Sequence, residues 1–491
     1  MLRKIRIALA LLFWIGITLL FLDFTGTVHF WLGWMAKIQF LPAVMALNFI
    51  VVIFLVALTL IFGRVYCSVI CPLGVMQDAV ARLGRMGRRN KNKYGYSPAL
   101  SLLRYGFLAL LAVSVILGLG SLAALLAPYS TYGRIVSALV APVYLWGNNL
   151  LAALAERMDS YAFYEREIWI VSLPVILTAA GAFALIAVLA WRNGRTWCNT
   201  VCPVGTLLGI LSRYSLLAPV IDTSKCNGCG LCSRRCKGAC IDSRNHAIDY
   251  SRCVACMDCI DTCHQGAISY TRRRTKTIPE TPETSRRGFM ALVGAMAGTA
   301  ALRGEEKIVD GGLAVILDKK TPVRKTRVVP PGAVSLRHLA SRCTACQLCV
   351  SACPNGVLRP STDVMTFMQP ESSYERGYCR PECTKCSEVC PAGAILKISR
   401  EEKSSVQIGH AVWIRSNCVP LTDGVECGNC ARHCPAGAIV MVPSDPSDET
   451  SVKIPVVNDE RCIGCGACEN LCPSRPFSAI YVEGHENHRV I

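Results

Sequence analysis

Charge is scarce in this chain. Asp, Glu, Lys and Arg make up 18% of its 491 residues, against 52% hydrophobic residues, a balance too apolar for an ordinary soluble enzyme. Acids are the scarcer sign, since 34 of them face 52 bases and leave a formal net charge of +18. No motif that reads nucleic acid accompanies those bases, so nucleic-acid binding is not expected. Also missing are a phosphate-cradling loop, an activated nucleophile and a hydrolytic constellation, which removes group-transfer and hydrolytic chemistry from consideration.

Cysteine is abundant instead. Of the 29 cysteines, 24 fall into six quartets. Cys226, Cys229, Cys232 and Cys236 form the first, and Cys253, Cys256, Cys259 and Cys263 the second; both read C-x2-C-x2-C-x3-C. Cys343, Cys346, Cys349 and Cys353 form the third, and Cys462, Cys465, Cys468 and Cys472 the sixth, with the same spacing and a following proline. The fourth (Cys379, Cys383, Cys386, Cys390) and the fifth (Cys418, Cys427, Cys430, Cys434) open with longer gaps and also end in Cys-Pro.

A C-x2-C-x2-C turn presents three thiolates on one concave face, and the fourth cysteine usually ligates the partner cluster in a two-cluster ferredoxin. Zinc prefers isolated pairs or mixed Cys/His sets, and disulfides need no repeated local spacing. Six [4Fe-4S] clusters and electron transfer are therefore expected. Within the first two quartets, Cys226, Cys229 and Cys232 should share a cluster with Cys263, and Cys253, Cys256 and Cys259 with Cys236. For the last four quartets the regular spacings lie outermost. Nesting is expected there, with the third quartet paired to the sixth and the fourth to the fifth.

The apolar residues crowd into the first 191 positions, in runs at about Ile5–Leu22, Phe40–Phe62, Leu100–Ala127 and Ile168–Trp191. Each approaches or exceeds the roughly 20 residues that span about 30 Å of hydrocarbon. The predicted fold class is an α-helical membrane domain with four transmembrane helices plus α+β ferredoxin-like multi-cluster modules. The expected domains are a membrane domain at 1–215, a two-cluster module at 216–275, a linker at 276–329 and a four-cluster module at 330–491. Segment 136–155, interrupted by Pro142, Gly147, Asn148 and Asn149, reads as interfacial or re-entrant. Arg64, Arg82, Arg85, Arg88, Arg89, Lys91 and Lys93 against the single acid Asp78, with Arg3, Lys4 and Arg6 at the N-terminus, place those segments in the cytoplasm. Residues after Trp191 should return to that side. Asp23 and His29, at the outer edge, are candidates to accept quinol protons, with loop-exposed charge the blander reading.

Two further cysteine pairs are duplicated as whole elements: Cys67-Ser-Val-Ile-Cys71-Pro72-Leu73-Gly74 and Cys198-Asn-Thr-Val-Cys202-Pro203-Val204-Gly205. Spacing i, i+4 puts each pair on one helical face. Three readings stay open: a four-thiolate metal or cluster site, a redox-active dithiol, or small apolar residues filling helix ends. Cys240, between the first two quartets, reads as a buried thiol rather than a spare ligand.

The apolar spans, the two C-x3-C-P elements and the two-cluster module resemble the membrane quinol-dehydrogenase subunit of periplasmic nitrate reductase systems and the similar accessory protein of methylamine dehydrogenase clusters. The resemblance covers about residues 1–275. It implies quinol as electron donor, a bacterial inner-membrane location and delivery of electrons through the ferredoxin module. The chain departs from the usual Cys-Pro ending at Cys236-Lys237 and Cys263-His264. Ser285-Arg286-Arg287-Gly288-Phe289-Met290 and the apolar run Ala291–Leu302 have the shape of a twin-arginine export signal. Residues from about 330 onward resemble the four-cluster ferredoxin-type partner of the same systems, so the chain reads as a fusion with its last module across the membrane. Within that module, Pro391–Ile395 and Pro435–Ile439 should enter strands, and Val364–Gly377 reads as a surface insertion. The partners implied are the membrane, quinol and a redox protein, reductase or cytochrome. A competing role is an assembly or maintenance factor for a periplasmic metalloenzyme.

Overall fold

Three helices are long and apolar enough to cross a membrane by length and composition: Leu2–Leu22, Pro128–Glu156 and Leu173–Asn193. The computed structural model to which they belong describes residues 2–86, 94–160, 163–166, 173–273, 308–310, 314–316 and 319–491. The twin-arginine-like segment at 285–302 lies outside the described residues.

The other two expected spans are broken by single residues. Phe40–Phe62 divides into helices Phe40–Met45 and Phe49–Phe62, because Leu47 turns left-handed (φ 54°) and Asn48 caps the second helix, accepting the Val51 N–H at 3.2 Å. Leu100–Ala127 divides at Gly118 (φ 70°) into Ser101–Ile116 and Gly120–Leu126. At 14 and 16 residues, the longer pieces reach only about 21 and 24 Å. Conversely, the segment expected to be interrupted is continuous. Pro142 has no N–H to return to Ala138, and a π-helical turn at Val136–Val140 takes up the mismatch. Asn149 then ties down the following loop, donating to the Arg166 carbonyl at 2.7 Å and accepting its N–H at 2.9 Å.

The chain divides into two compact units, Met1–Gly298 and, apart from Cys343–Cys346, Thr299–Ile491. In the first unit the two C-x3-C-P elements follow similar turns. After Phe49–Phe62, Gly63 (φ 69°) leads into a π-helical turn at Tyr66–Ile70 and the helix Pro72–Met86. After Leu173–Asn193, Gly194 (φ 75°) leads into Thr196–Thr200 and the helix Pro203–Ser212. The first cysteine-rich module belongs to this unit. Its antiparallel strands Leu217–Ile221 and Ile268–Arg272 pair in register from Leu217↔Arg272 to Ile221↔Ile268 and enclose both quartets. Tyr270 donates to the Phe62 carbonyl at 2.8 Å and the Leu216 N–H to that of Leu60 at 2.7 Å, so the strands are bonded to the end of a helix.

In the second unit, Val406–Trp413 pairs antiparallel with Ile480–Val490, and Ile439–Asp445 forms a hairpin with Asp448–Val457. Ile439 opens its strand as expected, whereas Pro391–Ile395 opens none. The Val364–Gly377 segment is a surface insertion only at its start, where Val364 and Met365 are exposed. Pro370–Ser372 pairs with Leu358–Pro360, and Met368, Gln369 and Tyr374 are fully buried.

Gly194 carries a testable consequence. A Cβ there would stand 2.7 Å from the Lys237 carbonyl oxygen, at a φ that an L side chain adopts at a cost of roughly 1–2 kcal/mol. Gly194→Ala should lower the thermal unfolding midpoint of the detergent-solubilised protein. Gly181→Ala, where nothing lies within 4 Å, should leave it unchanged or slightly raised.

Candidate functional site

The spacing of the regular quartets becomes geometry through two residues in each. Those flanking the middle cysteine are left-handed: Gly228 and Gly230, Ala255 and Met257, Ala345 and Gln347, Gly464 and Gly466, with φ from 47° to 78°. Such alternation turns successive N–H groups toward a concavity that favours an anion. Four of the eight are not glycine, so the chain holds strained backbone where the thiols converge.

In the first module Cys226, Cys229, Cys232 and Cys263 line one cavity with Ile221 and Ile268. Cys236 instead neighbours the second set. Desolvation pushes the Cys256 and Cys259 thiols up, and Cys236 adds to it in both, after Asp258 at Cys256 and after Cys256 and Cys253 at Cys259. The structure therefore groups the first eight thiols in the crossed sets read from the spacing.

The nested arrangement of the last four quartets is overturned. Cys434 lines the same cavity as Cys462, Cys465 and Cys468, and Cys472 neighbours Cys418 and Cys430. The fifth quartet thus pairs with the sixth. Cys353 neighbours Cys379 and Cys386, which pairs the third with the fourth. The physical reason is the strand pair Val406–Trp413 and Ile480–Val490, which brackets the fifth and sixth quartets as Leu217–Ile221 and Ile268–Arg272 bracket the first two. A long opening gap changes a local turn, whereas the bracketing strands decide which motifs fold together. The alternation of Val406–Trp413 was the available signal.

Cys240 is a buried thiol, but not an idle one. Its sulfur lies 3.4 Å from that of Cys236 and also hydrogen-bonds Cys253. Both neighbours belong to the same set of four.

The C-x3-C-P elements come together at the end of the helices. Cys67, Cys71, Cys198 and Cys202 are each 4% exposed, and Cys67, Cys71 and Cys198 all act electrostatically on Cys202, as Cys67 and Cys198 do on Cys71. The repeats interlock. Arg64, in the first, donates to the Cys198 carbonyl at 3.2 Å, and Arg195, in the second, to the Cys67 carbonyl at 2.6 Å. A Cβ on Gly74 would meet Cys67 O at 2.3 Å and Arg195 Nη1 at 2.7 Å, and one on Gly205 would meet Cys198 O at 2.3 Å and Arg64 Nη2 at 2.8 Å. Gln77 Nε2 donates to Cys198 Sγ at 3.2 Å. Among the described residues, no group of three or more His, Cys, Asp or Glu is gathered as a single metal ion requires.

The first module is held against the helices by buried charge that sequence reading assigned elsewhere. Arg64 and Arg195 are fully buried, so Arg64 is not a loop charge; Arg88, Arg89, Lys91 and Lys93 lie outside the described residues. Asp78 accepts from Arg195 at 2.8 Å and Arg6 at 3.1 Å and pairs with Lys237 at 3.2 Å. Burial alone would raise the Asp78 pKa, but Arg195 and Lys237 hold it well below the carboxylate range. Lys237 also reaches Asp258 at 2.9 Å, and Arg3 meets Asp258 at 2.8 Å. Its carbonyl accepts the Arg195 N–H at 2.9 Å. The residue that replaces the usual proline is thus a docking residue. Asp23 is not an exposed loop charge either. It is buried, and its carboxylate accepts from Thr25, Gly26 and both the N–H and ring of His29 at 2.8–3.0 Å.

These features define an iron–sulfur electron-transfer protein with an apolar helical region. Residues 44–91 and 173–220, one repeat each, match a 4Fe-4S binding domain family, and residues 342–395 and 425–475 match 4Fe-4S dicluster domain families. The chain is 38% identical over 88 residues to an uncharacterized protein of Methanocaldococcus jannaschii, covering 18% of this chain and 35% of that one. It is 30% identical to the methylamine utilization ferredoxin-type protein MauM of Paracoccus denitrificans, over 39% of this chain and 84% of MauM. It is 27% identical to the ferredoxin-type protein NapH of Escherichia coli, over 48% of this chain and 70% of NapH. The chain belongs to the family of ferredoxin-type proteins that includes MauM and NapG. Kinship with NapH and the three apolar helices mark it as a membrane protein.

Two measurements follow. Asp78→Asn leaves Arg195 and Lys237 without their shared counter-charge, and loss of one partner of a buried pair costs about 3–5 kcal/mol; the chemical-denaturation midpoint of the first module should fall accordingly. Cys240→Ala should leave iron content unchanged while lowering one midpoint potential in a redox titration, since hydrogen bonds to ligand sulfurs raise cluster potentials. Loss of about four irons per chain would instead make Cys240 a ligand.

Proposed function

We propose that this chain takes electrons from membrane quinol and passes them one at a time through six [4Fe-4S] clusters to a redox partner protein, a periplasmic reductase or cytochrome. The ligands are the 24 cysteines of the six quartets, crossed within each neighbouring pair. A bound [4Fe-4S] cluster supplies reversible one-electron transfer, and its potential is set by net charge, hydrogen bonds to sulfur and solvent exposure. The polypeptide supplies those three. The N–H groups of Ala267, Ala438 and Ala479 each donate at 3.3 Å to Cys263, Cys434 and Cys472, and apolar residues such as Ile221, Ile268 and Ile439 line the cavities and exclude water.

The observation that carries the reading is the rigid seating of the first module. Lys237 adjoins Cys236, and its pairs with Asp78 and Asp258 fix the Cys236, Cys253, Cys256 and Cys259 set against the helical region. A fixed separation is what stepwise electron transfer between a membrane donor and a ferredoxin module demands. Oxidation of a quinol releases two electrons and two protons, so the clusters must accept its electrons in two steps. The bases flanking the apolar helices support a cytoplasmic first module in a bacterial inner membrane, and the twin-arginine-like segment supports a periplasmic last module.

Purified membranes treated with a reduced quinol analogue should show cluster reduction by electron paramagnetic resonance. Intact clusters that no quinol reduces would instead favour an assembly or maintenance role. A reporter fused after Ile491 should be active on the periplasmic side and lose export when Arg286 and Arg287 are both changed to Lys. Cytoplasmic activity in both forms would put all six clusters on one side.

A further inference from the structure

The fourth quartet departs from the regular ones in how its turn is made. Of residues 380–385, which lie between Cys379 and Cys386, none is left-handed, so the alternation that turns N–H groups toward the thiols of the regular quartets is missing there. A cation from outside the motif stands in its place. Lys403 is 5% exposed, and its ammonium donates to the Arg380 carbonyl at 2.6 Å, to the Cys383 carbonyl and to the Cys379 sulfur. The same charge acts on Cys386. The lysine belongs to the helix Arg400–Ser405, whose start is closed by a capping box: Ser399 Oγ accepts the Glu402 N–H at 3.1 Å, and the Glu402 carboxylate accepts the Ser399 N–H at 2.7 Å. A capped helix thus holds the ammonium in position.

We propose that Lys403 raises the reduction potential of the cluster held by Cys353, Cys379, Cys383 and Cys386 above that of the set paired with it, so that electrons settle there within the third and fourth quartets. The inference rests on the reading that both sets bind [4Fe-4S] clusters. Reduction of such a set adds one electron and no proton, and hence one negative charge. A buried cation within hydrogen-bond reach favours the more negative state. The electron comes from the paired set, which is oxidised by one as this set is reduced. In the third quartet a neutral donor is at work, the Ala345 N–H to Cys343 Sγ at 3.4 Å. A neutral N–H offers a partial charge where an ammonium offers a whole one, and a charge-assisted bond is roughly twice as strong.

Two other buried or half-buried lysines lie beside thiol sets, and a carboxylate offsets each of them. Lys319 donates to the carbonyls of Glu469, Asn470 and Cys472 at 2.6, 2.7 and 3.1 Å, and the Glu469 carboxylate acts on it. Lys237 is paired with Asp78 and Asp258. Lys403 forms no ion pair with a carboxylate among the described residues, and a desolvated cation needs an anion beside it. The thiolates of the fourth quartet are that anion. A purely structural role, tying two carbonyls of an irregular turn, requires a donor but no charge. The two readings part at the potential of the cluster.

The test uses the full chain purified in detergent, with iron and sulfide counted and potentials read by electron paramagnetic resonance during an anaerobic titration. Cys386→Ala, which removes a ligand of this set, should abolish one signal, and Cys349→Ala a second one that is reduced at a lower potential. Lys403→Met keeps every ligand and should keep the iron and sulfide. The signal that Cys386→Ala abolishes should then move down by at least a tenfold step in its equilibrium constant, about 59 mV for one electron, and Lys403→Arg should restore it. Unshifted potentials in Lys403→Met overturn the proposal, as does a Cys386-dependent signal that lies below the Cys349-dependent one. An equal shift in Lys403→Arg, or loss of about four irons from Lys403→Met, makes the lysine a prop of the turn and overturns it too. Iron and sulfide counts unchanged by Cys386→Ala would instead sink the cluster reading itself. If the cysteine variants do not accumulate, Lys403→Met must still lower one midpoint alone, and if Lys403→Met does not, Lys403→Gln must; an unshifted set of potentials overturns the proposal in either case.

Discussion

Asp78 is one carboxylate facing three cations, Arg6, Arg195 and Lys237, at 2.8–3.2 Å, and the first unit is arranged around it. Arg6 belongs to the first apolar helix, Arg195 to the second C-x3-C-P repeat and Lys237 to the first cysteine-rich module, so three segments distant in sequence share one anion. Taking this many charges out of water is costly, and such a cluster survives only if the geometry is good and the remaining polar atoms are bonded. Here Asp258, which binds Lys237 and Arg3, and Asp261, which also meets Arg3, offset part of the surplus positive charge. The result is a joint that fixes position more than it adds stability, and position is what a chain of redox centres needs.

The cysteines that converge are legible in the sequence because the spacing of such a turn is local. A C-x2-C-x2-C turn must be built from adjacent residues, so its signature survives without tertiary information. The apolar spans were less legible. Hydropathy counts residues, whereas a helix ends where one residue finds a better bond or an accessible left-handed turn, as at Asn48 and Gly118. The opposite error at Pro142 has the same origin. A proline breaks the hydrogen-bond ladder only if the chain has no local remedy, and the π-helical turn at Val136–Val140 is one.

Pairing of the C-terminal quartets failed for a different reason. Spacing regularity describes how one turn is made, while the partner of a motif is decided by strands far away in sequence, and Val406–Trp413 with Ile480–Val490 outweighs any likeness between outer motifs. Charge was misread for a related cause. Arg64 and Asp78 sit in a stretch rich in bases and look like loop residues, but a basic flank and a buried ion pair use the same letters. Only contact with residues more than 100 positions away, such as Asn199 and Arg195, tells them apart.

The duplication in the first unit imposes a last constraint. Each C-x3-C-P element supplies two thiols, one arginine and one glycine, but the arginine serves the other element's carbonyl and occupies the space above the other element's glycine. Neither half is complete alone. Substituting Gly74 would therefore displace Arg195, and with it the ion pair to Asp78. The four thiols and the docking of the first cysteine-rich module are thus mechanically one structure. The arginine that borders the thiols thereby also sets where Cys236, Cys253, Cys256 and Cys259 are held, through Asp78 and Lys237.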